Sequence, residues 1–216
     1  MTDRNSRIHS DVATYYSRKL EEFGTTAKGV DWKDREGQFL RFAELSRLIL
    51  DAPQTKNRFS ITDYGCGYGA FLEFLQQRFP PETAFEFLGL DLSDAMVKAA
   101  RARFADEPRA RFIQGAEPDV ATDFAVASGI FNVSLGTDPD EWLAYILRTL
   151  DIMAQHSTQG FAFNCLTSYS DEDRKADHLY YADPCFLFDH CKRTYSRNVA
   201  LLHDYDLYEF TLLVRS

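Results

Sequence analysis

Apolar residues recur along this chain in two alternating rhythms. A helix is predicted over 9–23, and a second over 34–50, where Phe39, Phe42, Leu45 and Ile49 fall three and four apart on one stripe. Ala52-Pro53 closes the second helix. Phe59, Ile61 and Asp63 then alternate into a glycine cluster, which predicts a strand ending in a tight turn. Phe71, Phe74, Leu75 and Phe79 share one helical face, and Pro80-Pro81 stops that helix. Phe85 to Leu90 is a mostly apolar run of strand length ending at Asp91.

The alternation continues. Ser93 is placed to cap a helix, Asp94 suits its positive end, and Met96, Ala100 and Phe104 form its buried stripe. Strands are predicted at Ala110–Gln114 and Phe124–Phe131, with 115–123 between them too short for much of a helix. Asp138-Pro139-Asp140-Glu141 opens the next helix with a cap, a proline at the first position and early acids, ahead of Trp142, Ile146, Leu150 and Met153. Gly160–Leu166 reads as a strand, 167–183 as a long polar and aromatic loop suited to function, and 184–195 as a helix. Val199–His203 and Tyr208–Val214 are separated by about four residues. A parallel crossover needs a dozen or more, so that pair is antiparallel. The expected fold is α/β: a mostly parallel seven-stranded sheet with helices on both faces and an antiparallel C-terminal hairpin. Residues 1–57 read as a helical extension packing on a core domain of 58–216.

Composition narrows the function classes. The 216 residues are 45% hydrophobic with 11 glycines and 7 prolines, which excludes collagen, coiled coil and disorder. A net charge of −9 repels a phosphate backbone, so nucleic acid is not an expected partner. No window is apolar enough for a membrane span, and the polar start lacks a signal-peptide core. Cys66, Cys165, Cys185 and Cys191 form no CxxC pair, which favours free thiols in a reducing cytoplasm. Asp183, Cys185, Asp189, His190 and Cys191 match no zinc spacing, so no metal is expected.

The informative segment is Asp63-Tyr64-Gly65-Cys66-Gly67-Tyr68-Gly69-Ala70, between a predicted strand and a predicted helix. Glycines there let bare backbone approach a ligand. Asp91 closes the next strand, where a carboxylate can accept both ribose hydroxyls. Together they predict a nucleoside-like ligand. Gly65-x-Gly67-x-x-Ala70 also fits a dinucleotide fingerprint, which leaves an NAD-dependent oxidoreductase, or a nucleoside-binding module without catalysis, as alternatives. Asp63 weighs against a diphosphate, because its charge repels phosphate and attracts an ammonium.

These residues resemble the class I S-adenosylmethionine-dependent methyltransferases over roughly 58–216, in particular bacterial ones of unassigned substrate. Asp63–Gly69 looks like the family's first motif, and Gly-Leu-Asp91-Leu-Ser-Asp-Ala-Met96 is similar to its ribose and adenine segment. The terminal hairpin is similar to the reversed strand that separates the family from dehydrogenases. The resemblance implies a Rossmann-like sheet with S-adenosylmethionine as cofactor. Asp63, Gly65, Cys66 and Gly67 would then surround its methionine part, Asp91 its ribose, and Leu92 and Met96 its adenine. The Ala116 amide or Glu117 would meet the exocyclic amine, and Ser128, Gly129 and Phe131 would lie between methionine and acceptor.

Other residues keep two readings. Met96 can equally be plain core. Trp32 is either packing or pocket wall. Arg41 reads first as a solvated surface arginine and second as a partner for the cofactor carboxylate. Tyr180 and Tyr181, with His178, Phe186 and His190, either line an acceptor pocket or pack a loop. Asn132 and Asn164 close strand ends near the expected methyl site, and Tyr15, Tyr16 and Trp32 would reach it from the N-terminal helices. The acceptor is expected to be a small molecule. Methyl transfer depends mostly on positioning, so no catalytic residue is assigned.

Overall fold

The computed structural model describes residues 2–50, 52, 58–80 and 82–216, with side chains from residue 5 onward. Pro53, Pro81 and the expected boundary before residue 58 lie at the edge of or outside these residues. The chain runs α1 (Thr2–Phe23), a 3-10 turn (Ala27–Val30), α2 (Arg35–Leu50), β1 (Arg58–Tyr64), α3 (Ala70–Arg78), β2 (Ala84–Asp91) and α4 (Asp94–Arg103). It continues through β3 (Ala110–Gln114), β4 (Thr122–Ala127), α5 (Pro139–Gln155), β5 (Ser157–Leu166), α6 (Pro184–Thr194), β6 (Asn198–Leu202) and β7 (Glu209–Arg215). The sheet order is β3-β2-β1-β4-β5-β7-β6. Strands β1 to β5 pair in parallel, and β7 inserts antiparallel between β5 and β6, with Asn164 opposite Thr211. This is the expected Rossmann-like sheet with its reversed hairpin.

Period-two strands divide the core into two layers. Phe59, Ile61, Phe87 and Phe124 face α2, α3 and α4. Tyr64, Leu90, Phe161 and Phe163 face α5 and α6. Helix starts follow the sequence chemistry. Ser93 accepts from the Met96 amide at 3.2 Å. Asp138 accepts from the Asp140 and Glu141 amides at 3.0 and 3.2 Å. Asp183, outwardly a metal-ligand type, serves as the cap of α6, accepting from the Cys185 and Phe186 amides.

The larger boundary differences from expectation have physical reasons. Strand β4 ends at Ala127, not Phe131, because Ser128-Gly129 turns the chain with Gly129 at φ 74°. Phe131 is nevertheless fully buried, in the core beyond the strand. Strand β5 begins earlier, at Ser157, and β7 one residue later, at Glu209. Helix α1 begins at Thr2, seven residues before its expected start.

The extension contributes to both layers. Helix α2 buries Phe42, Leu45, Leu48 and Ile49 in the first. The β3–β4 connection carries no helix, as expected, and Ile8 of α1 is buried in the second layer beside α5 residues. Helix α1 therefore reaches from α4, where Ser17 and Ser93 hydroxyls lie 2.8 Å apart, to α5, where Arg148 donates to Asn5. It spans the carboxyl edge of the sheet.

Candidate functional site

The site begins at the turn after β1. Gly65 and Gly67 adopt φ of 71° and 54°, a region that L side chains rarely enter. A Cβ on Gly67 would lie 2.9 Å from Val30, so the roof from the N-terminal segment closes directly over bare backbone. The Gly67 amide donates to Asp91 Oδ2 at 2.9 Å, and the Ser93 amide to Oδ1 at 2.8 Å. One carboxylate thus ties the turn after β1 to the turn after β2.

Burial dominates the Asp91 ionisation. It lifts the carboxyl to about 6, against the lowering effect of backbone donors at Ser93, Gly67 and Leu92. Asp63 is buried at the end of β1 and makes no side-chain hydrogen bond and no ion pair among the described residues. Desolvation first, and the Asp91 charge second, push its carboxyl well above the usual range. The Cys66 thiol is likewise raised, chiefly by burial, so it is no ready nucleophile.

A second polar unit supports the turn after β4. The Arg41 guanidinium forks onto Glu209 with Nε–Oε2 and Nη2–Oε1 distances of 2.8 and 2.7 Å. Asn164 Nδ2 donates to Glu209 Oε2 at 2.7 Å, while Asn164 Oδ1 accepts from the Gly129 amide at 2.7 Å. Arg41 also stacks 4.0 Å over the Trp32 ring, and Trp32 lies against Gly129 so closely that a Cβ there would meet it at 2.4 Å. Arg41 is therefore not the solvated surface residue expected. Its partner lies 168 residues away, out of reach of local pattern.

A cavity of about 480 Å³ runs between these units and the roof, within the range of small-molecule sites. Asp63, Gly65, Cys66, Gly67 and Asp91 line it from the first two turns, and Leu92, Met96 and Ala116 from the adjoining segments. Ser128, Gly129 and Asn132 line it after β4, and Tyr16 and Trp32 from the N-terminal segment. Met96 combines its two readings, being fully buried and in the wall.

Five expected residues are elsewhere. Glu117 is exposed, 3.9 Å from His156, so of the two candidates after β3 only Ala116 is in the wall. Tyr180 packs against the core layer and its amide donates to the Asn132 carbonyl. The Tyr181 hydroxyl accepts from the Ala176 amide at 2.9 Å. Both rings brace the loop, and its neighbours His178 and Leu179 line the cavity instead. Phe131 offers its carbonyl to Trp142 Nε1 at 2.8 Å and packs in the core. Tyr15 holds Asp31 with a 2.5 Å hydrogen bond, which Lys19 backs at 2.7 Å.

Two wall stripes escape a sequence reading. Asn5, His9 and Val12 line the cavity from α1 on the face of the expected Tyr16, and Tyr145, Arg148, Thr149 and Ile152 line it from α5. Both follow helical spacing, which is the signal that could have found them. Two buried hydroxyls of wall residues, Tyr64 OH and Ser128 Oγ, have no hydrogen-bond partner among the described residues. Among the described residues no cluster of His, Cys, Asp or Glu could hold a metal ion.

Comparison with known proteins agrees with this geometry. The family model described as Methyltransferase domain matches residues 61–151, from β1 into α5. The Mycobacterium tuberculosis (strain ATCC 25618 / H37Rv) protein named "Putative methyltransferase Rv1506c" is 55% identical over 157 residues, covering 73% of this chain and 93% of that one. Among solved structures, magnesium protoporphyrin IX methyltransferase (ChlM) from Synechocystis PCC 6803 with bound SAH is similar with a TM-score of 0.62. That match has 13% identity over 84% of this chain and 85% of the other. The DhpI-SAH complex is similar with a TM-score of 0.58 and 14% identity, over 95% of each chain. With the glycine turn, the acidic end of β2 and the reversed β7 in one fold, and a relative of this identity over nearly its whole length, the chain belongs to the class I S-adenosylmethionine-dependent methyltransferase family.

Proposed function

We propose that this chain transfers a methyl group from S-adenosylmethionine to a small-molecule acceptor. The carrying observation is the pair Asp63, buried, and Asp91, half-buried, two carboxylates in one cavity wall without a cationic partner among the described residues. Unit charges about 4 Å apart at a protein's effective dielectric exchange roughly 4 kcal/mol, so the sign of the ligand decides. A dinucleotide would bring a diphosphate to this wall. S-adenosylmethionine brings an ammonium and a sulfonium. The unpartnered hydroxyls of Tyr64 and Ser128 fit a polar ligand as well.

In this reading Asp91 holds the ribose hydroxyls, and Leu92, Met96 and Ala116 pack around adenine. The turn from Gly65 to Gly67 and the Ser128 hydroxyl meet the methionine part. When bound, the cofactor supplies an electrophilic methyl on a positively charged sulfur that leaves as a neutral thioether. The protein's share is placement. Helix α1 and Trp32 roof the cavity and keep water from it, and the Arg41–Glu209–Asn164 chain fixes the Gly129 backbone beside it. The roofed, bounded cavity and the −9 net charge support a small acceptor over nucleic acid. Four free cysteines support a reducing, cytoplasmic setting.

Isothermal titration of the purified chain with S-adenosylmethionine, S-adenosylhomocysteine and NAD tests this directly. The expected result is saturable binding of the first two and none of the third. Binding of NAD without S-adenosylhomocysteine would return the oxidoreductase reading.

A further inference from the structure

The cavity is electrostatically divided. Its carboxylates are Asp31, Asp63, Asp91 and Glu209. Asp63 and Asp91 end β1 and β2, Asp31 is held by Tyr15 and Lys19, and Glu209 by Arg41 and Asn164. No carboxylate in the wall comes from α1, from α5, or from the 132–133 and 178–179 segments. That end carries donors instead.

Arg148 makes no ion pair among the described side chains, and its one hydrogen bond goes to the neutral amide of Asn5. His9 has no hydrogen-bond partner among the described residues and stands beside Arg148, whose charge adds to burial in disfavouring the imidazolium. Asn132 is buried, and its Oδ1 accepts from the Leu166 amide at 3.0 Å. That bond fixes the amide orientation and leaves Nδ2 as a donor without an acceptor. These groups line one cavity and are linked through its aromatic wall. The His9 ring meets Tyr145 edge-on at 5.8 Å, Tyr145 meets Phe131 at 6.4 Å, and Phe131 precedes Asn132. Leu179, in the same wall, bridges to Val133.

Asn132 is a buried donor without an acceptor among the described residues, a cost that a ligand's acceptor removes, and the exposed Arg148 and half-buried His9 bring further donors to the same cavity. Asp63 and Asp91 without a cation partner, and Arg148 with free donors beside α1, suit two ligands of opposite character. Resting on the methyltransferase reading above, we propose that the α1–α5 end receives the methyl acceptor and that this acceptor is a small organic acid, its anionic group held by Arg148 and His9, with Asn132 a further donor in the same wall. A carboxylate and a phosphonate share the required chemistry: oxygen acceptors with negative charge. The guanidinium fork can take either in a bidentate contact.

The experiment uses the full chain saturated with S-adenosylhomocysteine and titrates benzoate, phenylphosphonate and benzamide, which share a ring and differ in charge. Either anion should bind at least about tenfold more tightly than benzamide, the ratio that one charge-assisted contact supplies. The stronger of the two identifies a planar or a tetrahedral acid. Arg148→Gln should erase that preference while the affinity for S-adenosylhomocysteine stays within about twofold, since Arg148 makes no hydrogen bond or ion pair with Asp63 or Asp91. Equal affinity for the three probes, binding of none, or an anion preference that survives in Arg148→Gln overturns the proposal. Failure of S-adenosylhomocysteine itself to bind overturns the cofactor reading instead. The same three probes on the ligand-free chain then decide the acid site separately.

Discussion

Replacing Arg41 by Met should destabilise the protein by about 3–5 kcal/mol, the loss that follows when one partner of a buried ion pair is removed. Arg41 and Glu209 are 12% and 1% exposed at their side chains, so water screens the pair little. The substitution strips both guanidinium bonds from Glu209 and leaves the Asn164 amide as its one side-chain donor among the described residues. It also removes the stack on Trp32, a contact of about 0.5–2 kcal/mol. One surviving hydrogen bond places the ionic loss at the lower end of the range, and the lost stack brings the total back to its middle. For a domain of this size, about 2–4 °C accompany each kcal/mol, so the melting temperature should fall by roughly 6–20 °C.

Urea denaturation of the wild type, Arg41→Met, and the double variant Arg41→Met/Glu209→Gln measures this. The double variant should recover most of the loss, because the neutral amide needs no cation and still accepts from Asn164. The reasoning is refuted by a single-variant loss below about 1 kcal/mol, or by a double variant less stable than the single one, since either would mean that Glu209 does not depend on Arg41.

Other perturbations act on the cofactor wall. Asp91→Asn should weaken S-adenosylhomocysteine binding by roughly tenfold or more, the loss of charge from a contact of about 1.5–3 kcal/mol, measured by calorimetry. A raised carboxyl has a definite sign. As pH falls through about 6, this group favours the ligand-free fold while affinity for S-adenosylhomocysteine declines, so a dissociation constant flat from pH 8 to 5 would contradict it. Gly129→Ala should lower both stability and cofactor affinity, since its φ is 74° and the new methyl would meet Trp32 at 2.4 Å; Trp32→Ala in the same chain should relieve only part of the loss, in paired denaturation and binding curves.

What the sequence reveals and conceals has a physical basis. Caps at Ser93 and Asp138, the turn at Gly65–Gly67, and Asp91 closing β2 are all local: a few adjacent residues carry the signal and the consequence. The hairpin orientation is fixed by a loop length. Strand β4 reads too long because Ile130 and Phe131 continue its apolar run; burial at Phe131 comes from packing with Tyr145 and Phe163, which a period cannot distinguish from a pleat. Arg41 reads as surface because arginine usually is, and only tertiary contact brings it to Glu209. Tyr180 and Tyr181 look like pocket residues because aromatics on long loops often are, yet here they hold the loop while backbone neighbours reach the cavity. The first turns of α1 offer no apolar stripe, so the helix seems to start late.

The short β3–β4 connection ties these cases together. A helix after β3 would cover the second core layer beside α5, and the chain from Gly115 to Ala121 supplies none. Ile8 and Val12 of α1 pack in that layer instead, which brings the first turns of the chain onto Tyr145 and Arg148. The cofactor end of the cavity is therefore built from turns that the sheet itself positions, where a change in Asp91 or Gly67 disturbs two strands at once. The acceptor end is built from one exposed helix laid across the sheet edge and one face of another. Substitutions at His9, Asn5 or Arg148 alter the second end without touching a strand or a glycine turn. Acceptor choice can thus vary in this architecture while cofactor geometry is retained, and this physical separation explains why a motif that identifies the donor says so little about the acceptor.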